Sequence, residues 1–251
     1  MRDSMPIYRE KEKNKRRPNR LALVFIVLFF LSLLVLLFFQ SPLSKISTID
    51  ISGNRTLKDA DVLKQASLKK GKQFFSWDPQ AAKKQLMQNE QVKDVKITKR
   101  FPGKVTIKFE EWPRVAFWLK KDKDGNAQLR PVLANGVIVD KQWKGTVDRP
   151  LLRGWSDESA VAKLSKQLER VERVTLRSLS EVHPQPSDIY KDQVRVYTDD
   201  GYEVITRLST FHENMNQYRN YVDPDKKGIV HMTYGRNFGW FEPYEEIEAK
   251  E

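Results

Sequence analysis

The 251-residue chain has no cysteine. Disulfide scaffolds, Cys-ligated zinc, iron–sulfur centres and thiol nucleophiles are therefore excluded. Histidine is scarce: His183, His212 and His231 are the only three, and they are widely spaced. That argues against a histidine metal site, and no cofactor is expected. Also missing is a concentrated basic stripe with base-stacking aromatics. The 45 Lys and Arg exceed the 33 Asp and Glu, for a formal net charge of +12, but the excess is spread along the chain. Nucleic acid is not an expected partner.

Hydrophobicity, by contrast, is concentrated in one place. Eighteen of the nineteen residues from Leu21 to Phe39 are apolar, and Ser32 is the exception. As a helix this run is about 28 Å long, close to the hydrocarbon thickness of a bilayer. It has no polar face of the kind a soluble core helix shows. Residues 1–20 carry eight basic and three acidic side chains. The positive-inside rule then keeps the N-terminus in the cytoplasm and the bulk of the chain outside. The run is longer than a cleavable signal peptide's apolar region and ends in Phe38-Phe39-Gln40-Ser41-Pro42, without a small-x-small site. The expectation is a basic cytoplasmic tail (1–20), an uncleaved signal anchor (21–40), and a single-pass type II membrane protein.

Beyond the anchor, residues 41–112 read as one domain. Ile49 and Ile51 alternate with polar residues as a strand, and Gly53-Asn54 ends it. Thr56 can cap a helix with Ala60, Leu63 and Ala66 on its apolar face. Asp78 caps a second helix, with Pro79 in its first turn and Ala82 and Leu86 facing inward. Val95 and Ile97 mark a strand, then Val105, Ile107 and Phe109 mark another, joined by Phe101-Pro102-Gly103. The order β-α-α-β-β looks like a polypeptide-transport-associated (POTRA) domain.

Residues 113–240 read as a strand-rich mixed domain, so the whole chain is α+β. Pro113 after Trp112 marks the boundary, and Phe117 and Trp118 read as packing residues. Asp124-Gly125-Asn126, Asn135-Gly136 and Asp199-Asp200-Gly201 are turn signals. Ser159–Val171 has helical spacing, and so has Leu208–Tyr221, with Leu208, Phe211, Met215 and Tyr218 on one face. Ile229–Tyr234 reads as a last strand, and 241–251 as a flexible acidic tail.

Several short motifs now stand in order: Ile-x-Ile-x-Gly-Asn at 49–54, Asp78-Pro79, Arg100-Phe101-Pro102-Gly103, Glu110-Glu111-x-Pro113-x-x-Ala116, Gly136-Val137-x-Val139, and Gly239-Trp240. Together, after a basic tail and one span, they resemble the bacterial cell-division family FtsQ, called DivIB in Gram-positive bacteria. The match runs over nearly the whole chain and is strongest over 46–120. The resemblance implies a non-enzymatic scaffold at the division septum. It would bind FtsL and DivIC (FtsB-like), with the septal penicillin-binding protein as a further partner, and help regulate septal peptidoglycan synthesis. It also implies a partner surface on the last strand and the helix before it. Carried over, that surface is Phe211, Met215, Tyr218, Ile229, Val230, His231, Met232, Thr233, Tyr234 and Trp240. His231-Met232-Thr233 departs from the charged residues of some relatives, which leaves the electrostatic part of the contact open. The expected mode is addition of a partner strand to an exposed edge at 229–234.

Two other readings are weaker. Ser67-Leu68-Lys69-Lys70 matches the Ser-x-x-Lys of penicillin-binding proteins, but no Lys-Thr-Gly or Ser-Asp-Asn accompanies it. The adjacent acids Glu110-Glu111 and Asp199-Asp200 suit solvation better than acid/base work. A POTRA-type anchor of envelope transport is the alternative, yet neither repeated POTRA units nor a following barrel is visible.

Overall fold

A computed structural model of the chain describes residues 19–121, 125–235 and 238–248. The basic segment before residue 19, Asp124 of the expected turn, and residues 249–251 of the expected tail lie outside the described residues. The apolar run forms helix α1 (Arg20–Gln40), none of whose residues is buried against the rest of the protein. At 21 residues it is about 31 Å long, enough to cross a bilayer.

The next elements follow the expected order. They are β1 (Thr48–Ser52), α2 (Asp59–Gln65), α3 (Pro79–Leu86), β2 (Val92–Arg100) and β3 (Lys104–Glu111). β3 is central, parallel to β1 and antiparallel to β2. Val105, Ile107 and Phe109 alternate inward from β3 and are buried, as period-two patterning requires. The Asp78 side chain accepts the Gln80 N–H at 2.8 Å and so caps α3. The face of α2 differs from expectation: Val62 and Ala66 are buried, while Ala60 is exposed. The helix starts later than Thr56, with Lys58 at its N-cap, so Ala60 falls in its exposed first turn. Phe74 and Trp77, from the loop before α3, complete this core.

Across Trp112 and Pro113 the chain passes from the three-stranded sheet into a second, eight-stranded one. Its strands are β4 (Arg114–Lys121), β5 (Ala127–Leu133), β6 (Leu151–Leu152), β7 (Leu179–Pro184), β8 (Gln193–Thr198), β9 (Glu203–Arg207), β10 (Gly228–Met232) and β11 (Trp240–Pro243). Between them lie α4 (Glu158–Glu169), α5 (Arg173–Ser178) and α6 (Phe211–Met215), and α7 (Tyr244–Glu248) follows β11. The sheet order is β11-β10-β9-β8-β7-β6-β4-β5. Val161, Leu164 and Leu168 of α4, with Phe211 and Met215 of α6, cover one face. On the other face Phe117 is enclosed by Trp143, at a ring distance of 5.5 Å, and by the Arg114 guanidinium.

Three expectations are corrected here. The helix expected over Leu208–Tyr221 is broken into a 3-10 turn (Leu208–Thr210), the five-residue α6, and a second 3-10 turn (Tyr218–Asn220). Asn214 and Asn216 spend their amides on tertiary hydrogen bonds, and such residues compete with helix continuation. The last strand stops at Met232 and is not an edge: β9 pairs with it in parallel and β11 antiparallel. The terminus expected as a mobile tail from 241 instead supplies most of β11 and all of α7.

Candidate interaction surface

The residues expected on a partner surface fall into two groups. Phe211, Met215, Tyr218, Val230 and Met232 are fully buried, and Thr233 nearly so. They are core, and no partner reaches them in this conformation. Ile229 and His231 are half-buried on the opposite face of β10. Only Tyr234, 68% exposed, and Trp240, 41% exposed, stand out from the surface. The correction has two causes: Val230 and Met232 face the core formed with Phe211, Met215 and Tyr218, and β11 pairs with the edge that β10 would otherwise offer.

Those two rings are part of a larger cluster. Tyr234 meets Trp240 at 5.6 Å and Phe238 at 6.3 Å, between ring centroids. Phe238 is 57% exposed, and sequence reasoning missed it. Its signal was the aromatic pair at spacing two, Phe238 and Trp240. Trp240 lies flat on His231, with centroids 4.7 Å apart and planes 5° from parallel. Tyr190 extends the cluster at 6.5 Å from Tyr234 and is itself capped by the Arg207 guanidinium at 4.8 Å. Together these rings form a shallow apolar patch where β10 and β11 meet.

Local chemistry fixes this end of the sheet. The buried Asn214 Nδ2 donates to the Met232 carbonyl at 2.8 Å, to Thr206 Oγ1 at 2.9 Å and to Thr210 Oγ1 at 3.1 Å. It thereby ties α6 to β9 and to the end of β10. β11 is held by its ladder with β10 and by side chains at both ends. His231 Nε2 and Glu242 Oε2 lie 3.1 Å apart. The Tyr244 hydroxyl donates to Glu203 Oε1 at 2.9 Å. Burial, reinforced by the Glu203 carboxylate, pushes the Tyr244 phenol up to about 12. Among the described residues, no strand pairs with the outer side of β11. The sheet of the described residues therefore ends at β11, beside an exposed aromatic patch.

The other candidate positions are structural. Ser67 sits in the turn closing α2, with φ +48°, and its carbonyl accepts the Lys72 ammonium at 2.7 Å. Trp118 is core, its indole N–H donating to the Trp155 carbonyl at 3.2 Å. Trp112 is half-buried beneath the Lys93 ammonium, 5.5 Å from the ring centroid. Asp199 and Asp200 lie in the β8–β9 hairpin turn, where Gly201 has φ +84°. Glu110 pairs with Lys93 at 2.7 Å at the surface. Glu111 departs from the solvated reading and binds backbone N–H groups of residues 55–57. Among the described residues, no cluster of three His, Asp or Glu could hold a metal.

Comparison with known proteins identifies a domain family and several relatives. The "POTRA domain, FtsQ-type" family matches residues 44–112. The chain is 30% identical over 236 residues to the cell division protein DivIB of Bacillus subtilis (strain 168), spanning 91% of this chain and 88% of that one. It is 29% identical over 246 residues to DivIB of Geobacillus kaustophilus, spanning 96% and 92%. Among solved structures, the major extracytoplasmic domain of the trans isomer of DivIB from Geobacillus stearothermophilus shares 33% identity. It covers 44% of this chain and 91% of its own, at a TM-score of 0.39. A shared sequence over nearly the whole length, an FtsQ-type POTRA domain and an N-terminal apolar helix of membrane-spanning length lead to one conclusion: the chain belongs to the DivIB family of bacterial cell-division proteins.

Proposed function

We propose that this protein is a non-enzymatic scaffold of the division septum. It is anchored by α1 with its N-terminus in the cytoplasm, and it binds FtsL and DivIC (FtsB-like) through the far end of the eight-stranded sheet. Through that complex it helps regulate septal peptidoglycan synthesis, with the septal penicillin-binding protein as a further partner. The observation that carries the reading is the exposed Tyr234, Phe238 and Trp240 rings beside β11, the last strand of the sheet among the described residues. An unpaired edge offers backbone N–H and C=O groups for one more strand. Exposed aromatics beside it supply the apolar anchor on which such contacts depend. The contact residues are thus revised from the interior strand β10 to β11 and the turn before it.

The test is co-purification from membranes of dividing cells. Tyr234→Asp and Trp240→Asp, both at exposed positions, are expected to reduce recovered FtsL and DivIC at least about tenfold while circular dichroism stays unchanged. Undiminished recovery overturns the surface. A fluorescent fusion is expected to form a mid-cell band, and a uniform membrane signal would contradict a septal role. Protease added to intact protoplasts should remove everything beyond α1; protection of that region would refute the topology.

A further inference from the structure

A second apolar surface lies where α1 meets the three-stranded domain. Phe75 is 54% and Phe101 57% exposed. They sit 6.0 Å apart, and Phe75 also lies 6.0 Å from Phe38 and 6.5 Å from Phe39, in the last turn of α1. Leu43, also exposed, follows that turn.

The position of this patch is set by hydrogen bonds. Gln73 Nε2 donates to the Phe39 carbonyl at 3.0 Å, and Ser44 Oγ to the same carbonyl at 2.8 Å. The loop before α3 is stitched to the chain leaving α1: Phe74 N–H to the Ser44 carbonyl at 2.8 Å, Ile46 N–H to the Lys72 carbonyl at 2.8 Å, and Gly71 N–H to the Ile46 carbonyl at 2.7 Å. Phe75 is therefore carried at the height of the end of α1. A helix of about 31 Å just fills the hydrocarbon layer. Its last turn then lies at the lipid–water boundary, and a ring 6 Å from that turn lies in the headgroup layer. Charge agrees with this placement. The three segments meeting here, 41–50, 68–78 and 98–104, contain seven Lys or Arg against two Asp; Asp50 pairs with Lys104 at 2.8 Å and Asp78 caps α3. Lys69, Lys70 and Arg100 among them are exposed. Aromatic rings flanked by cations suit the interface of an anionic membrane.

We propose that Phe75 and Phe101, with Leu43, form an interfacial foot. The rings insert into the headgroup layer of the leaflet from which the C-terminal end of α1 emerges. The basic side chains around them meet lipid phosphates. The hydrogen bonds to the end of α1 hold the three-stranded domain against the span, and the foot adds a second point of contact that fixes the tilt of that unit on the membrane. The inference rests on α1 spanning the bilayer, and it commits to lipid as the occupant of the patch.

The absence of cysteine makes the experiment clean. Single variants Phe75→Cys, Phe101→Cys, Ser76→Cys and Pro102→Cys are made in the full chain and labelled with a nitroxide. Each is reconstituted at low protein-to-lipid ratio in vesicles of phosphatidylcholine and phosphatidylglycerol. The Ser76 and Pro102 variants leave both rings unsubstituted. Accessibility to oxygen and to a water-soluble nickel complex is compared with Leu34→Cys inside α1 and Ile189→Cys in the distant domain. Labels at 75, 76, 101 and 102 are expected to show at least about threefold lower nickel accessibility than the label at 189. Adding Phe75→Asp and Phe101→Asp should return the label at 76 to the aqueous value. Aqueous readings at all four positions, with a lipid reading at 34, overturn the foot and leave the anchor intact. An aqueous reading at 34 defeats the anchor itself. Protection that appears only at high protein-to-lipid ratio indicates contact between copies and overturns the lipid assignment.

Discussion

The carboxylate of Glu111 accepts the backbone N–H of Thr56 on both of its oxygens, each at 3.1 Å. The N–H groups of Arg55 and Leu57 reach the same carboxylate at 2.9 and 3.3 Å. One side chain at the end of β3 thus organises the turn after β1, more than fifty residues away. Hydrogen bonds to a charged acceptor contribute about 1.5–3 kcal/mol when buried, and this group is half-exposed. Glu111→Ala is therefore expected to lower stability by about 1–2 kcal/mol, a few degrees in Tm for a chain of this size. Glu111→Gln, which keeps one acceptor oxygen, should lose less. Thermal unfolding followed by circular dichroism reads both, and an unchanged Tm for the alanine variant would count against the organising role.

Asn214 predicts a larger effect. It is fully buried and its amide joins Thr206, Thr210 and the Met232 carbonyl. Asn214→Ala removes the short donor to the buried Met232 carbonyl and leaves it only Thr206 Oγ1 at 3.5 Å, at a cost of about 2–4 kcal/mol including the lost packing. Because α6 and β10 lose the same tie, urea unfolding should shift its midpoint with the slope unchanged. A loss below about 1 kcal/mol would mean that this network does not hold the sheet end.

The parts of the fold legible in the sequence are those where pattern and local chemistry coincide. Val105, Ile107 and Phe109 alternate, and they pack as a strand. Asp78-Pro79 reads as a cap because its chemistry is local. Leu208, Phe211, Met215 and Tyr218 do point toward the core, with Leu208 packed at its margin. The continuous helix read through them fails because Asn214 and Asn216 are used elsewhere, a decision made by tertiary contacts. β11 was illegible for a different reason. Trp240-Phe241-Glu242-Pro243 has no alternation, ends in proline and precedes an acidic run. Its strand state comes from the β10 edge it covers. The partner surface suffered in turn: Val230 and Tyr234 look alike in a list of apolar residues, and only tertiary packing decides that Val230 joins the core with Phe211, Met215 and Tyr218 while Tyr234 lies beyond the end of β10.

Acid sensitivity follows from Asp192. Burial by itself would raise its pKa, but hydrogen bonds from Ser209 and Arg207, with the Arg207 charge, outweigh burial and hold the carboxyl below its ordinary value. The distances are 3.0 Å from Arg207 Nε to Oδ1 and 3.1 Å from the Ser209 N–H to Oδ2. A lowered folded pKa means that the unfolded chain binds the proton first. The contribution is therefore complete above about pH 4 and is lost as pH falls through the folded value. Asp192→Asn should be less stable than the parent at pH 7, and the gap should narrow toward pH 3. Urea midpoints at the two pH values measure it; a gap of constant width would show that the carboxylate charge is not what stabilises this turn.

Gly228 separates the docking of β11 from the integrity of the core. A Cβ built there would stand 2.2 Å from the Glu242 carbonyl oxygen and 2.8 Å from the Pro243 Cα. Both are backbone atoms of β11, so they cannot rotate aside as a side chain could. On the other side β10 keeps its parallel pairing with β9, and Val230 and Met232 keep their buried places. Gly228→Ala is therefore expected to pry β11 away while leaving the sheet behind it assembled. Amide exchange across 240–243 should accelerate at least about tenfold, with little change at 203–207. The Tyr244 contact with Glu203 would open with it. If the β11 edge receives a partner strand, the same variant weakens FtsL and DivIC recovery without substituting any exposed aromatic side chain. Slow exchange at 240–243 in the alanine variant would show that β11 is not seated against Gly228 as described, and would remove the edge on which the partner surface was built.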